Sequence, residues 1–162
     1  MLKKQGLEGV VAKRADSIYQ PGLRTGLCTK YRINLNQEFV IGGYTPGTNG
    51  FDALIVGFYR GKNFIYAARV RAGLVPAVRR DVFDTVKHLE TTKCPFVNLP
   101  ELADGRWGAG LTVEKMKECV WLKSEAVAQI AFLEWTGADH LRHTKFLSLR
   151  DDKDPKKVVR ET

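Results

Sequence analysis

The sequence predicts a mainly β protein built around a small closed barrel. Three observations lead there. From Gln37 onward, short apolar or alternating runs are separated by Gly, Pro and Asn clusters, the mark of strands joined by turns. Arg60-Gly61-Lys62-Asn63 is a tight hairpin signal between two such runs. A single amphipathic helix follows the third run, at Pro76.

Each element can be justified in order. Val10-Val11, flanked by Gly9 and Ala12, suits a buried strand, and residues 16–27 read as an irregular loop around Pro21-Gly22 and Gly26. Gln37–Tyr44 is the first barrel strand, ended by the turn-rich Thr45-Pro46-Gly47-Thr48-Asn49-Gly50. Phe51–Tyr59 is the second. Phe64–Arg71 is the third, with Phe64, Tyr66, Ala68 and Val70 alternating against Ile65, Ala67, Arg69 and Arg71. Pro76 opens a helix at a position where its missing N–H costs nothing. Val78, Val82, Phe83, Val86 and Leu89 form its apolar face, Arg79, Arg80 and Lys87 lie off that stripe, and the helix should stop near Thr91. Cys94–Gly110 reads as a long loop around Trp107. A fourth strand is predicted at 118–122, a fifth at 127–135, and a last short one at 141–146. Five short strands with a helix after the third is the plan of the oligonucleotide-binding (OB) fold, a five-stranded Greek-key barrel. An SH3-like barrel or a split β-sandwich gives a similar pattern. Phe39, Phe58, Phe64, Tyr66 and Phe132 read as barrel core rather than as stacking platforms.

Length and composition narrow the class. The 162 residues suit one domain with appendages, and 44% hydrophobic with 27% charged residues is globular composition. No apolar stretch is long enough for a membrane span, and the start Met1-Leu2-Lys3-Lys4 lacks a secretory apolar region. Cys28, Cys94 and Cys119 have neither zinc-ligand nor redox-motif spacing, so they read as reduced thiols of a cytoplasmic protein. His88, His140 and His143 also lack ligand spacing. The net charge of +8 is unevenly distributed. Residues 1–35 hold seven Lys/Arg against two acids, 36–141 hold twelve of each, and 142–162 hold seven against four. Two basic ends attract polyanions, either nucleic-acid backbone or nucleotide phosphates.

Glu8-Gly9-Val10-Val11-Ala12-Lys13 and Lys30-Tyr31-Arg32 at one end, and Arg150-Asp151-Asp152-Lys153 at the other, resemble motifs of the ATP-dependent DNA ligases, and within them of the bacterial end-joining type. Glu8-Gly9-Val10-Val11-Ala12-Lys13 is similar to their fourth conserved motif. Lys30-Tyr31-Arg32 is similar to the fifth, usually Trp-x-Lys-x-Lys/Arg. Gln37–Tyr44 resembles the opening of their OB domain, and Met116–Trp121, Phe132–Thr136 and Leu141–His143 also fit. Phe146 through Pro155, with Arg150-Asp151-Asp152-Lys153 inside it, resembles the sixth motif.

That resemblance implies roles. Glu8 would hold a divalent ion, Mg2+ or Mn2+. Lys13 and Lys30 would lie near the α-phosphate of ATP, with Arg32 a weaker phosphate or DNA contact. Arg150 and Lys153 would orient the departing pyrophosphate. Developing phosphate charge needs such fixed cations and a metal. Arg69 and Arg71, and Lys62 at the hairpin tip, are the candidate DNA contacts on a sheet face that OB folds commonly use. Residues 1–35 would end an adenylation domain, 36–150 form the OB domain, and 151–162 a basic tail closing the sixth motif. The implied partners are double-stranded DNA with a nick or end, and an adenylation domain in cis or in trans, with no membrane. The setting is the bacterial cytoplasm, at the nucleoid.

Two departures stand out. Cys28 takes the place of the fifth motif's Trp, which removes packing volume beside the nucleotide. Lys-x-Asp-Gly and Lys-x-Asn-Gly, which carry the family's nucleophile, are absent: Asp104-Gly105 follows Leu102-Ala103, and Asn49-Gly50 follows Gly47-Thr48. The expectation is therefore part of a larger or split enzyme, with no self-adenylation by these residues and no cofactor bound to them alone. A stand-alone nucleic-acid-binding OB module, without catalysis, is the alternative. It accounts for the barrel and the charge but not for the ordered motifs.

Overall fold

The computed structural model describes residues 9–18, 21–23, 26, 28–101 and 110–161. It divides into two compact units, one up to Leu35 and one from Asn36.

The first unit holds a two-stranded antiparallel ribbon. β1 (Gly9–Lys13) pairs with β2 (Cys28–Arg32), placing Gly9 opposite Arg32, Val11 opposite Lys30 and Lys13 opposite Cys28. The Val10-Val11 strand predicted as buried is exposed, with Val11 61% accessible.

The second unit is the barrel. Its strands are β3 (Leu35–Gly47), β4 (Gly50–Arg60), β5 (Asn63–Val70), β7 (Val120–Phe132) and β10 (Lys145–Arg150), hydrogen-bonded in the order β10-β7-β3-β4-β5. Closure comes where Ala72, just past β5, bridges Lys145, and the Phe146 N–H donates to the Ala72 carbonyl at 2.9 Å. Together with a helix between the third and fourth barrel strands, this is the OB plan. β3 and β4 each extend beyond the predicted limits, leaving only Thr48-Asn49 as the turn, with Asn49 at φ 62°.

The late strands differ from expectation. One 13-residue strand, β7, replaces the two predicted at 118–122 and 127–135. Its first residues pair with the short β6 (Glu90–Thr91), and Val127–Ala131 pair with β10. Lys123-Ser124-Glu125, which reads as a break, is the stretch where the strand changes partners and faces solvent more. The strand predicted at 141–146 is also two elements. β9 (Leu141–Arg142) forms a hairpin with β8 (Glu134–Trp135), and β10 follows with a bulge at Leu147. A bulge interrupts alternation, so the period-2 pattern gives no sign of a strand reaching Arg150.

Helix α1 (Pro76–Val86) ends earlier than predicted and tightens into a 3-10 turn, Lys87–Leu89. Val82, Val86 and Leu89 are buried, and Phe83 meets Tyr44 edge-on at 5.8 Å. Arg79, off the apolar stripe, fastens the helix to the barrel. Its Nη1 donates to the Phe51 and Asp52 carbonyls at 2.6 and 2.7 Å, and its Nε to the Leu74 carbonyl at 2.7 Å. A short helix, α2 (Val113–Met116), precedes β7 and was not predicted.

Phe39, Phe58, Phe64, Tyr66 and Phe132 are all buried, as expected for core. Each such side chain contributes roughly 1.5–3 kcal/mol by leaving water. Phe96, from the loop after β6, enters the same layer and stacks on Phe64 at 4.5 Å. It fits because Gly42 and Gly57 face it: a Cβ on either would run into its ring. Asn98 continues that loop along β5, its amide accepting from the Tyr66 N–H at 2.7 Å and donating to the Tyr66 carbonyl at 3.2 Å. Trp107 lies outside the described residues.

Candidate functional site

Arg150 is the last residue of β10, opposite Val127 of β7. Its guanidinium is held on three sides. Nε and Nη2 donate to the two Asp152 carboxylate oxygens, each at 2.8 Å. Nη1 donates to Gln129 Oε1 at 3.1 Å and lies 3.3 Å from Glu38 Oε1. Gln129 is itself held, its Nε2 donating to Asn36 Oδ1 at 2.9 Å. Asn36 and Glu38 stand two apart on β3 and so share a face. The fork-to-carboxylate pairing is the strong bidentate kind. Asp152, by its hydrogen bond and charge, holds Arg150 firmly protonated, above even an ordinary arginine. In return the Arg150 hydrogen bond lowers the Asp152 carboxyl to about 2.

Lys153 is half-buried three residues on. It shares with Arg150 an open cavity of about 510 Å3 whose wall includes Thr85, His88, Glu125 and Asp151. α1 and its 3-10 turn supply one side, β7 another, and the end of β10 the third. Arg150 and Lys153 thus put two cations on the wall of this hollow, with the Glu125 and Asp151 carboxylates on the same wall.

The ribbon of the first unit gathers a second set. Residues opposite one another in an antiparallel pair point to the same side, as do residues two apart. Lys13, Lys30 and Arg32 therefore lie on one face, with Val11 and Cys28 between them. Cys28 stands directly opposite Lys13. Glu8 lies outside the described residues.

The three candidate DNA contacts do not form one patch. Lys62 is exposed in the turn between β4 and β5. Arg69 is half-buried on β5 opposite Ile55, and hydrogen-bonds with the Tyr66 side chain. Arg71 lies beyond the end of β5, so the predicted shared strand face does not extend to it, and it pairs with Asp52 at 3.0 Å. Asn36, Glu38, Gln129 and Asp152 were not singled out from sequence. The one available signal was Asp152, two residues from Arg150 in the sixth-motif run.

The comparison with known families decides the parentage: residues 47–153 match the ATP-dependent DNA ligase C-terminal region. The chain belongs to this family. This ligase region is also 35% identical over 164 residues to the multifunctional non-homologous end joining DNA repair protein LigD of Mycobacterium tuberculosis, covering 98% of the chain and 20% of that protein. The corresponding figures are 34% with 99% and 20% for LigD of Mycolicibacterium smegmatis, and 27% with 98% and 18% for that of Pseudomonas aeruginosa. The ligase region thus spans about a fifth of the length of these curated relatives. Among solved structures it is similar to the ligase domain of M. tuberculosis LigD, with a TM-score of 0.68 and 33% identity over 98% of this chain and 49% of that one. It is likewise similar to a mycobacterial DNA ligase D complexed with ATP and MES, at 0.66 and 34%, over 98% and 48%.

Proposed function

We propose that this chain supplies the OB-fold share of nick sealing by an end-joining ligase, binding duplex DNA and orienting the phosphates of ATP. The observation that carries this reading is the fixed Arg150 guanidinium beside Lys153, in a run that fits the sixth ligase motif. A cation that no longer has to be ordered can act on phosphate charge as it develops. ATP, when bound, supplies the adenylyl group that is passed to the 5′-phosphate before the 3′-hydroxyl seals the break. Arg150 and Lys153 hold the β- and γ-phosphates in this scheme, and Lys13 and Lys30 face the α-phosphate. Arg32 steadies phosphate or DNA beside them.

The described residues do not by themselves fit a divalent ion: among them no three His, Cys, Asp or Glu side chains converge. In the proposal Glu8 contributes to that site, with Mg2+ or Mn2+ shared with an adenylation domain. The 162 residues contain no Lys-x-Asp-Gly, so the adenylate is carried by that partner domain, in cis or in trans. Residues 1–35 then belong to the adenylation domain, 36–150 to the OB domain, and 151–162 complete the sixth motif. Among the DNA contacts Lys62 is the strongest, being exposed, while Arg69 and Arg71 are partly committed to Tyr66 and Asp52. The setting is the bacterial cytoplasm; among the described residues no helix is long and apolar enough to cross a membrane.

The test is complementation. Nicked duplex, ATP and Mg2+ are given to an adenylation half from a related ligase, with and without this chain. Sealing should rise with the chain and fall about a hundredfold with Arg150→Ala. The chain alone with labelled ATP should form no covalent adduct. An adduct on the isolated chain, or sealing indifferent to Arg150, would overturn the reading.

A further inference from the structure

Residues 158–161 form a strap across one end of the barrel, and its fastening is a buried glutamine. Gln37 on β3 is 2% accessible, yet polar. Its Nε2 donates to the Val159 carbonyl at 3.1 Å, and its Oε1 accepts from the Glu161 N–H at 3.1 Å. One amide thus grips the strap backbone at two points, as a neighbouring strand would. β4 adds to the hold: the Tyr59 N–H donates to the Val158 carbonyl at 2.8 Å, and Val158 is buried. Arg160 lies over the Trp135 ring at 4.6 Å and pairs with Asp139.

Between β10 and the strap runs the segment carrying Asp151, Asp152 and Lys153, then a 3-10 turn at Pro155–Lys157 capped by Asp154. Arg150 fixes the start of that segment through Glu38 and Gln129. The strap, together with the 3-10 turn that lies against β7, fixes its far side. Asn36 and Glu38 act on Arg150 from one face of β3, and Gln37 acts on the strap from the other.

We propose that Gln37 is a positioning residue: through the strap it holds the backbone under Lys153, and so Lys153 itself, in the geometry that binds phosphate. This rests on the phosphate role assigned above to Arg150 and Lys153. Among the described residues none grips Lys153 as Asp152 grips Arg150, so its placement depends on the backbone beneath it.

The test uses Gln37→Met, which keeps the volume and removes both bonds to the strap along with the one to the Glu38 carbonyl, a chain lacking 158–162, and the combination of the two. Amide relaxation and hydrogen exchange report the order of residues 151–157 in each. Inorganic pyrophosphate is the binding probe. Gln37→Met should loosen 151–157 and weaken pyrophosphate binding about tenfold, the effect of one or two net hydrogen bonds. In the shortened chain the same substitution should add nothing, because Gln37 then has no strap to hold. An unchanged 151–157 segment in Gln37→Met would overturn the proposal, even if melting fell. So would equal loosening by Gln37→Met with and without the strap. A wild-type chain that binds no pyrophosphate refutes the phosphate role, and the order measurements separate that failure from failure of the strap.

Discussion

Replacing Arg79 by alanine should destabilise the barrel more than any other single change on the helix surface. The substitution removes three charge-assisted hydrogen bonds, to the carbonyls of Phe51, Asp52 and Leu74. It also removes a cation lying 5.5 Å from the Phe51 ring. Fully buried bonds to a charged donor contribute about 1.5–3 kcal/mol each. Arg79 is half-buried, and water can reach part of the vacated space, so the sum is nearer 2–3 kcal/mol in all. For a protein of this size that lowers Tm by roughly 4–12 °C. Calorimetry or urea titration followed by tryptophan fluorescence measures it. Arg79→Met keeps the aliphatic stem and drops the bonds, so it should lose most of what alanine loses. Arg79→Lys should recover only part, since one ammonium cannot reproduce the planar fork. If Arg79→Met is as stable as wild type, the stem packing matters and the three carbonyl bonds do not.

The same packing sets three further outcomes. Asp139 sits at φ 60° and joins Arg60 of β4 to Arg160, and the Arg60 hydrogen bond holds its carboxyl below the ordinary range. A depressed carboxyl stabilises above the unfolded pKa of about 3.9 and loses that contribution as pH falls through the folded value. Asp139→Asn keeps a residue that tolerates this backbone, and should cost about 1 kcal/mol at pH 7 and progressively less below pH 4 in acid-unfolding curves. Gly57→Ala should cost about 1–3 kcal/mol by overpacking against Phe96 and the Ile65 carbonyl, measured by urea midpoint. Among the thiols, exposed Cys28 should alkylate first under iodoacetamide, with mass spectrometry as readout. Cys119, pushed up to about 11 mainly by burial, has only about one thiolate in a thousand at pH 8 and should react last together with Cys94, whose thiol burial also raises.

The barrel was legible because its first three strands obey simple rules. Phe51–Tyr59 and Phe64–Val70 are apolar runs joined by a glycine turn, and nothing outside them is needed to see the hairpin. The second half was harder for a physical reason. Lys123 to Glu125 look like a break because polarity usually marks a strand end, but there one partner strand gives way to another within a continuous backbone. Leu147 hid β10 in the same way, since a bulge moves the next side chains off the expected side. At the candidate site the two cations were visible in the motif run. Their supports were not. A glutamate or glutamine on a strand reads as a solvent-facing residue, and only the fold brings Glu38 and Gln129 to Arg150. Gln37 was the least visible, because the strap atoms it holds are main-chain groups more than a hundred residues away.

Where the sheet rejoins itself, at Ala72 and Phe146, one short backbone contact makes the seam among the described residues, whereas β3–β4, β4–β5 and β7–β10 pair as long ladders. A cylinder sewn with one stitch opens there first when it breathes. The strand on one side of that seam, still laddered to β7, is the one that ends in Arg150, so the least secured line of the barrel leads to the guanidinium at its rim.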